Sequence, residues 1–234
     1  IARENQSLDA DSQNVKPRLS LIGKSAATIW GMPLAKWQTR AFKKAGCDVE
    51  KPGTDINADI HWIMAANLGK SFAASPNTAL IVNDRIIAVH GHPNICSTKA
   101  SEVDFETLGV LPKTPDDFQA YDKALRKTEV PYALDTRVTP ILEIMQRQFD
   151  SSYKGITDFV TKYAWPIPAF YFTRLCASLR LTPNMVTTLS LIMMFAAMYF
   201  FWEGQWALGF AAGWFMTFLD TVDGKLARTT MSYS

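Results

Sequence analysis

The sequence predicts an α/β soluble N-terminal domain followed by an interfacial helix and an all-α transmembrane domain. Three observations predict it. Strand-like and helix-like patterns alternate through roughly the first 150 residues, the signature of an α/β layer structure. Charge then almost disappears: Leu181 to Leu219 contains a single charged side chain, Glu203. Between these regions, from Tyr153 onward, aromatic residues alternate with Lys154, Lys162, Arg174 and Arg180. The expected organisation is a disordered lead-in over 1–16, an α/β domain over 17–150, a juxtamembrane amphipathic helix over 151–182 and a transmembrane domain over 183–234.

The overall composition hides this division. Of 234 residues, 48% are hydrophobic and 20% charged, ordinary values for a soluble protein. The net charge of +2 and the lack of a basic stripe interleaved with aromatics argue against a nucleic-acid partner. The cysteines, Cys47, Cys96 and Cys176, are odd in number and widely spaced. That argues against a disulfide framework and for a reducing compartment. No zinc-ligand spacing links them to His61, His90 or His92. The chain begins at Ile1 and stops at Ser234 without a terminating feature, as a fragment cut at both ends would.

In the first domain, "RLSLIG" (18–23) reads as a strand entering a glycine turn. Met32 to Gly46 has a proline near its start, a glycine at its end, and Leu34, Trp37, Ala41 and Ala45 near helical spacing, so a helix is expected. Residues 59–66, 78–91 and 130–135 read as strands, the second a hairpin turning at Asn83-Asp84. Residues 114–128 and 137–152 read as helices. His90-Gly91-His92 reads as a loop after a strand. Gly23-Lys24-Ser25 is no P-loop, because the earlier glycine of that motif is missing.

The interfacial reading places Trp165, Phe170, Tyr171, Phe172 and Leu175 on a bilayer, with the cations facing headgroups. A surface helix of the soluble domain is the alternative. Thr182-Pro183-Asn184 then starts a helix, with a cap residue before a proline at the first helical position. Val186 to Trp202 is uncharged and, with its flanks, reaches the length of about 20 residues needed to span. Glu203-Gly204-Gln205 is a tight turn between Trp202 and Trp206, and a second apolar stretch runs from Trp206 to Leu219. Cations lie before the first stretch and after the second, which puts both ends of the hairpin, the soluble domain and the active site on the cytoplasmic face.

The second stretch is short for a bilayer, so Asp220 and Asp223 are expected within membrane depth. An aspartate at the centre of a spanning helix costs about 2.5–3.5 kcal/mol on insertion scales, and two on adjacent turns repel. A cation between them offsets both effects. Asp220, Asp223, Gly224 and Ala227 fall at i, i+3, i+4 and i+7, one helical face, which extends back to Thr217 and Gly213. Two carboxylates on one side suit a hard divalent ion such as Mg²⁺. Gly224 and Ala227 leave room for a ligand, and Arg228 and Lys225 can meet phosphate charge. Spacing alone also allows the aspartates to cap the helix end or pair with Lys225 and Arg228. Gly209 and Gly213 form a G-x-x-x-G step, read as helix packing at Gly209 and left open at Gly213.

"DTVDGKLAR" (220–228) resembles the first half of the signature of the CDP-alcohol phosphotransferase (phosphatidyltransferase) family, D-x-x-D-G-x-x-A-R, which continues x8-G-x3-D-x3-D. Only six residues follow Arg228, so the rest of the motif falls outside this chain. "TPNMVT" (182–187) is similar to the entry of the family's first transmembrane helix. The resemblance implies an integral-membrane transferase moving a substituted phosphoryl group from a CDP-alcohol to an acceptor alcohol, releasing CMP, in phospholipid or polyol-phosphodiester synthesis. It implies that Asp220 and Asp223 bind Mg²⁺ or Mn²⁺, that Thr217, Gly224 and Ala227 border the nucleotide, and that Arg228 holds phosphate. The general base would lie beyond Ser234, so no catalytic residue is expected here and the fragment alone would be inactive. Members have six transmembrane helices, of which two would be present, and commonly form homodimers in the lipid bilayer. Some carry a nucleotidyltransferase-like domain, and 21–47 is weakly similar to its opening strand, loop and helix. The glycine-rich, arginine-containing loop of active members is missing, which favours a degenerate domain over an active cytidylyltransferase. A membrane-anchored nucleotide-binding or regulatory protein without catalysis is the remaining alternative.

Overall fold

The computed structural model describes residues 16–51, 53–92, 95–118, 121–122, 127–128, 130–153 and 163–232. Nearly all of the expected lead-in, and 154–162 of the expected interfacial segment, lie outside them. In chain order the strands are β1 (Leu19–Ile22), β2 (Thr28–Ile29), β3 (Met32–Pro33), β4 (Ile56–Asp59), β5 (Trp62–Met64), β6 (Thr78–Val82), β7 (Arg85–His90), β8 (Leu111–Lys113), β9 (Tyr121–Asp122), β10 (Lys127–Thr128) and β11 (Ala133–Asp135). The α-helices are α1 (Leu34–Ala45), α2 (Ala66–Ala73), α3 (Phe105–Leu108), α4 (Ile141–Ser151), α5 (Pro166–Ser178), α6 (Pro183–Trp202) and α7 (Trp206–Thr229). The chain forms two compact units. One comprises Ile1–Ser25, Gln38–Ala120 and Val130–Ala133, and the other Ala26–Trp37, Tyr121–Glu129 and Leu134–Ser234.

The first unit is a mixed α/β structure built on a five-stranded sheet of order β1-β4-β7-β6-β8. β1 and β4 run parallel, as do β6 and β8, while β7 is antiparallel to both β4 and β6. The hairpin turns at Asn83 and Asp84, both with positive φ (50° and 59°), as a two-residue type I′ turn requires. Ile86 to His90 are all buried, so this strand is covered on both faces. Phe42, Ala58, Leu68, Phe72, Leu80 and Ile87 form one core cluster, and Ala79, Ile86, Val89, Cys96 and Val110 another. Within this unit α1 buries Gln38 and Phe42 rather than Ala41 and Ala45, which are half-buried, while its first turn, Leu34 to Trp37, belongs to the second unit. Gln38 is buried because its amide donates to the carbonyls of Ile60 (2.7 Å) and Trp62 (3.0 Å). The three cysteines are buried, and none is in a disulfide.

Two expectations fail here. The strand over 59–66 is broken at Asp59, whose Oδ1 accepts from the His61 amide in a tight turn, and Ala66 opens α2. Of the helix expected over 114–128, residues 119–120 and 123–126 lie outside the described residues; its start is instead a single 3₁₀ turn, Pro115–Asp117, closed by a capping box between Thr114 and Asp117. Phe118 then turns extended (φ −103°, ψ 159°) and buries its ring, and β9 pairs antiparallel with β10. The cap starts a turn, but core burial of the phenylalanine ends it.

The second unit is mostly helical. Its earliest part is the β2–β3 hairpin, turned by Trp30 (φ 49°) and Gly31 (φ 70°), again a type I′ turn. Trp30 is buried and donates its indole N–H to Gln148 Oε1 on α4 (2.7 Å). A Cβ at Gly31 would overlap the Ala177 carbonyl on α5, so only glycine fits. α5 departs from the interfacial reading: Trp165 and Phe170 are buried, not lipid-facing. Trp165 packs edge-on against Trp214 and Phe218 of α7, and Phe170 against Trp30 and Phe149. Ile167, Tyr171, Leu175 and Leu179 instead form an exposed apolar stripe at four-residue intervals.

α6 and α7 make an antiparallel hairpin through Gly204 (φ 71°). Thr182 caps α6 by accepting from the Met185 amide, with Pro183 following. Among the described residues α6 alone is long and apolar enough to cross a membrane, and 17% of its apolar window is buried, little for a core helix. α7 does not meet that standard, because tryptophans, glycines and two carboxylates lower its hydropathy. It is nevertheless one unbroken helix of 24 residues, so the apolar stretch and the acidic sequence after it are a single element. At Gly209 a Cβ would lie 2.6 Å from the Phe201 ring, so glycine there permits close helix packing.

Candidate functional site

The last three turns of α7 have two faces. Leu219, Val222, Lys225, Leu226 and Thr229 are buried. Asp220 is exposed, and Asp223, Gly224, Ala227 and Arg228 are half-buried. The residues singled out by spacing thus share the open side, while the helix is held by the other. Thr217, one turn earlier, is exposed, and its hydroxyl is turned back to the Trp214 carbonyl (2.8 Å).

Neither aspartate caps a helix end, since α7 continues to Thr229. Each instead accepts a hydrogen bond from α6. Thr187 Oγ1 donates to Asp223 Oδ2 (2.6 Å), and Ser190 Oγ donates to Asp220 Oδ1 (2.5 Å). These are the lengths of hydroxyl bonds to an ionised carboxylate. Donors and acceptors are both three residues apart, so antiparallel packing matches them turn for turn. Thr187 and Ser190 are site residues that motif spacing missed; their own i, i+3 spacing, on the facing helix of a tight hairpin, was the available signal.

The cations divide. Lys225 is buried on the far face, 3% exposed, with its ammonium over the rings of Phe149 and Tyr153. This corrects its expected phosphate role, because its side chain points away from the aspartates. Burial pushes the Tyr153 phenol up to about 12. Arg228 donates from Nη1 to the Ser152 carbonyl at the end of α4 (2.8 Å). Its Nη2 lies 3.4 Å from where a Cβ of Gly224 would stand, so the glycine leaves the guanidinium an open flank.

The donor set fits part of a hard-cation site. Among the described residues, Asp220 Oδ2 and Asp223 Oδ1 accept no hydrogen bond, and no group of three or more His, Cys, Asp or Glu side chains converges. Two carboxylate oxygens and open solvent would leave most of an octahedral shell to water and phosphate, as Mg²⁺ prefers.

Residues 180–234 match the CDP-alcohol phosphatidyltransferase family. The match covers α6, the turn and α7 with its acidic face, and no part of the sheet-containing unit. No curated protein matches the chain. The likeness is thus confined to the C-terminal hairpin, less than half of the chain. Within it, "DTVDGKLAR" contributes Asp220, Asp223, Gly224, Ala227 and Arg228 to the open face of α7, and "TPNMVT" supplies both the cap of α6 and the Thr187 donor.

Proposed function

We propose that the full-length protein transfers a substituted phosphoryl group from a CDP-alcohol to an acceptor alcohol and releases CMP, in phospholipid or polyol-phosphodiester synthesis. The observation that carries this reading is the pair Asp220 and Asp223, side by side on the open face of α7, each with one oxygen engaged by α6 and the other, among the described residues, accepting no hydrogen bond. Asp220 and Asp223 would hold Mg²⁺ or Mn²⁺, which when bound would neutralise the diphosphate and stabilise departing CMP. Thr217, Gly224 and Ala227 would border the cytidine nucleotide. Arg228, braced on Ser152, would hold a phosphate oxygen. The base that activates the acceptor hydroxyl would come from a later part of the signature, G-x3-D-x3-D, not from these residues.

In this reading α6 and α7 cross the bilayer and α5 lies along it through Ile167, Tyr171, Leu175 and Leu179. The site faces the cytoplasm, and the protein acts as a homodimer. The sheet-containing unit is a nucleotidyltransferase-like domain without activity of its own. β1 leads into Gly23, and the next helix, α1, starts only at Leu34, not directly after a glycine-rich phosphate loop.

The test is CMP release from a panel of CDP-alcohols and acceptors by the full-length protein with Mg²⁺ or Mn²⁺. Asp223→Asn should abolish it; activity equal to wild type would remove the metal role. Release of pyrophosphate from CTP would show instead that the N-terminal unit is an active cytidylyltransferase.

A further inference from the structure

We infer that Thr187 and Ser190 are positioning residues for the metal-binding carboxylates: their hydroxyls fix which oxygen of Asp223 and Asp220 is presented to a divalent cation. The inference rests on the metal-dependent reading above and assigns a role to two α6 residues outside its acidic signature.

Each hydroxyl has one proton and two acceptors in reach. Thr187 Oγ1 lies 3.0 Å from the Pro183 carbonyl and 2.6 Å from Asp223 Oδ2. Ser190 Oγ lies 3.2 Å from the Met216 carbonyl and 2.5 Å from Asp220 Oδ1. In both, the shorter contact is to the anion, the stronger acceptor, so the proton goes to the carboxylate. Thr188, one residue on, shows the ordinary alternative: its hydroxyl returns to the Asn184 carbonyl (2.9 Å) within its own helix.

The choice of hydroxyls has a chemical consequence. A lysine or arginine at 187 or 190 would cancel the carboxylate charge and compete with a cation. A hydroxyl restrains the carboxylate and leaves its charge in place. With Oδ2 of Asp223 and Oδ1 of Asp220 engaged, the remaining oxygens stand on adjacent turns, oriented before any ion arrives. Partners of this kind around ligating carboxylates commonly account for about 10–100-fold in metal affinity.

The experiment is Mn²⁺ titration of the full-length protein in detergent, followed by the paramagnetic resonance of free Mn²⁺, with thermal unfolding in parallel. Thr187→Val and Ser190→Ala should each weaken Mn²⁺ binding about tenfold or more, without a matching fall in melting temperature. Thr187→Ser should retain affinity and Thr188→Val should match wild type. Wild-type affinity in Thr187→Val would overturn the inference, as would equal losses in Thr187→Ser and Thr187→Val. Because Thr187 is exposed, its variants decide the question even if Ser190→Ala does not fold. Asp223→Asn separates the two levels. If it loses Mn²⁺ while Thr187→Val does not, positioning fails alone; if it binds as wild type, the metal reading fails and the inference with it.

Discussion

Trp37 donates its indole N–H to the main-chain carbonyl of Thr229, 2.8 Å away and 192 residues later in the chain. Thr229 is the last residue of α7, where main-chain carbonyls lack partners within the helix. Trp37 is 2% exposed, so the bond is made out of water. A helix end beside the candidate site is thus held by a side chain from the start of α1.

Trp37→Phe keeps most of the apolar ring and removes the donor. It should destabilise the protein by about 1 kcal/mol, the typical net value of one such bond. Thermal unfolding in detergent measures it. An unchanged melting temperature would mean that water replaces the indole without loss.

Two glycines of α7 should respond oppositely to alanine. At Gly209 a new Cβ would press 2.6 Å from the Phe201 ring, and overpacking of this kind costs about 1–3 kcal/mol. At Gly224 the nearest atom is Arg228 Nη2 at 3.4 Å, an ordinary contact with a flexible end. Gly224→Ala should leave stability equal or higher, because alanine is the better helix former by about 1 kcal/mol. It should also weaken CMP binding, since the open flank of Arg228 narrows. Calorimetric titration with CMP beside melting curves separates the two effects; tight CMP binding by Gly224→Ala would remove that glycine from the nucleotide site.

Burial pushes the Cys47 thiol up to about 11 and the Cys96 thiol up to about 12. A raised thiol pKa means less thiolate at a given pH, and the thiolate is the reactive form. At pH 8 iodoacetamide should label neither cysteine in the folded protein, and both after denaturation. Mass spectrometry of labelled peptides reads the outcome, and native labelling of Cys96 would show that the core around β4 and β7 opens.

What the sequence could reveal depended on how local each cause was. The Asn83-Asp84 turn, the Thr182-Pro183 start of α6 and the body of α1 were readable, because each is determined by a few adjacent residues. The open face of Asp220, Asp223, Gly224 and Ala227 was readable too, since helical spacing fixes it once α7 is a helix. The helix expected over 114–128 gave way at its start, where Phe118 is extended and buried after the 3₁₀ turn, a tertiary effect. Trp165 and Phe170 were misassigned for the same reason: composition shows that an aromatic seeks an apolar surface, not whether that surface is lipid or another ring. The Thr187 and Ser190 donors escaped notice because their meaning arises only when α6 and α7 lie antiparallel.

The helical unit is discontinuous in sequence. Its Trp30–Gly31 hairpin is made early in synthesis, whereas Gln148, Ala177 and Thr229, against which Ala26–Trp37 packs, emerge much later. During translation this segment must wait, with two large indoles uncovered, until α7 has left the ribosome. Such long-range closure is slow, and exposed apolar surface invites misassociation meanwhile. The yield of folded protein should therefore depend on how soon the Trp30–Gly31 hairpin meets α4, α5 and α7.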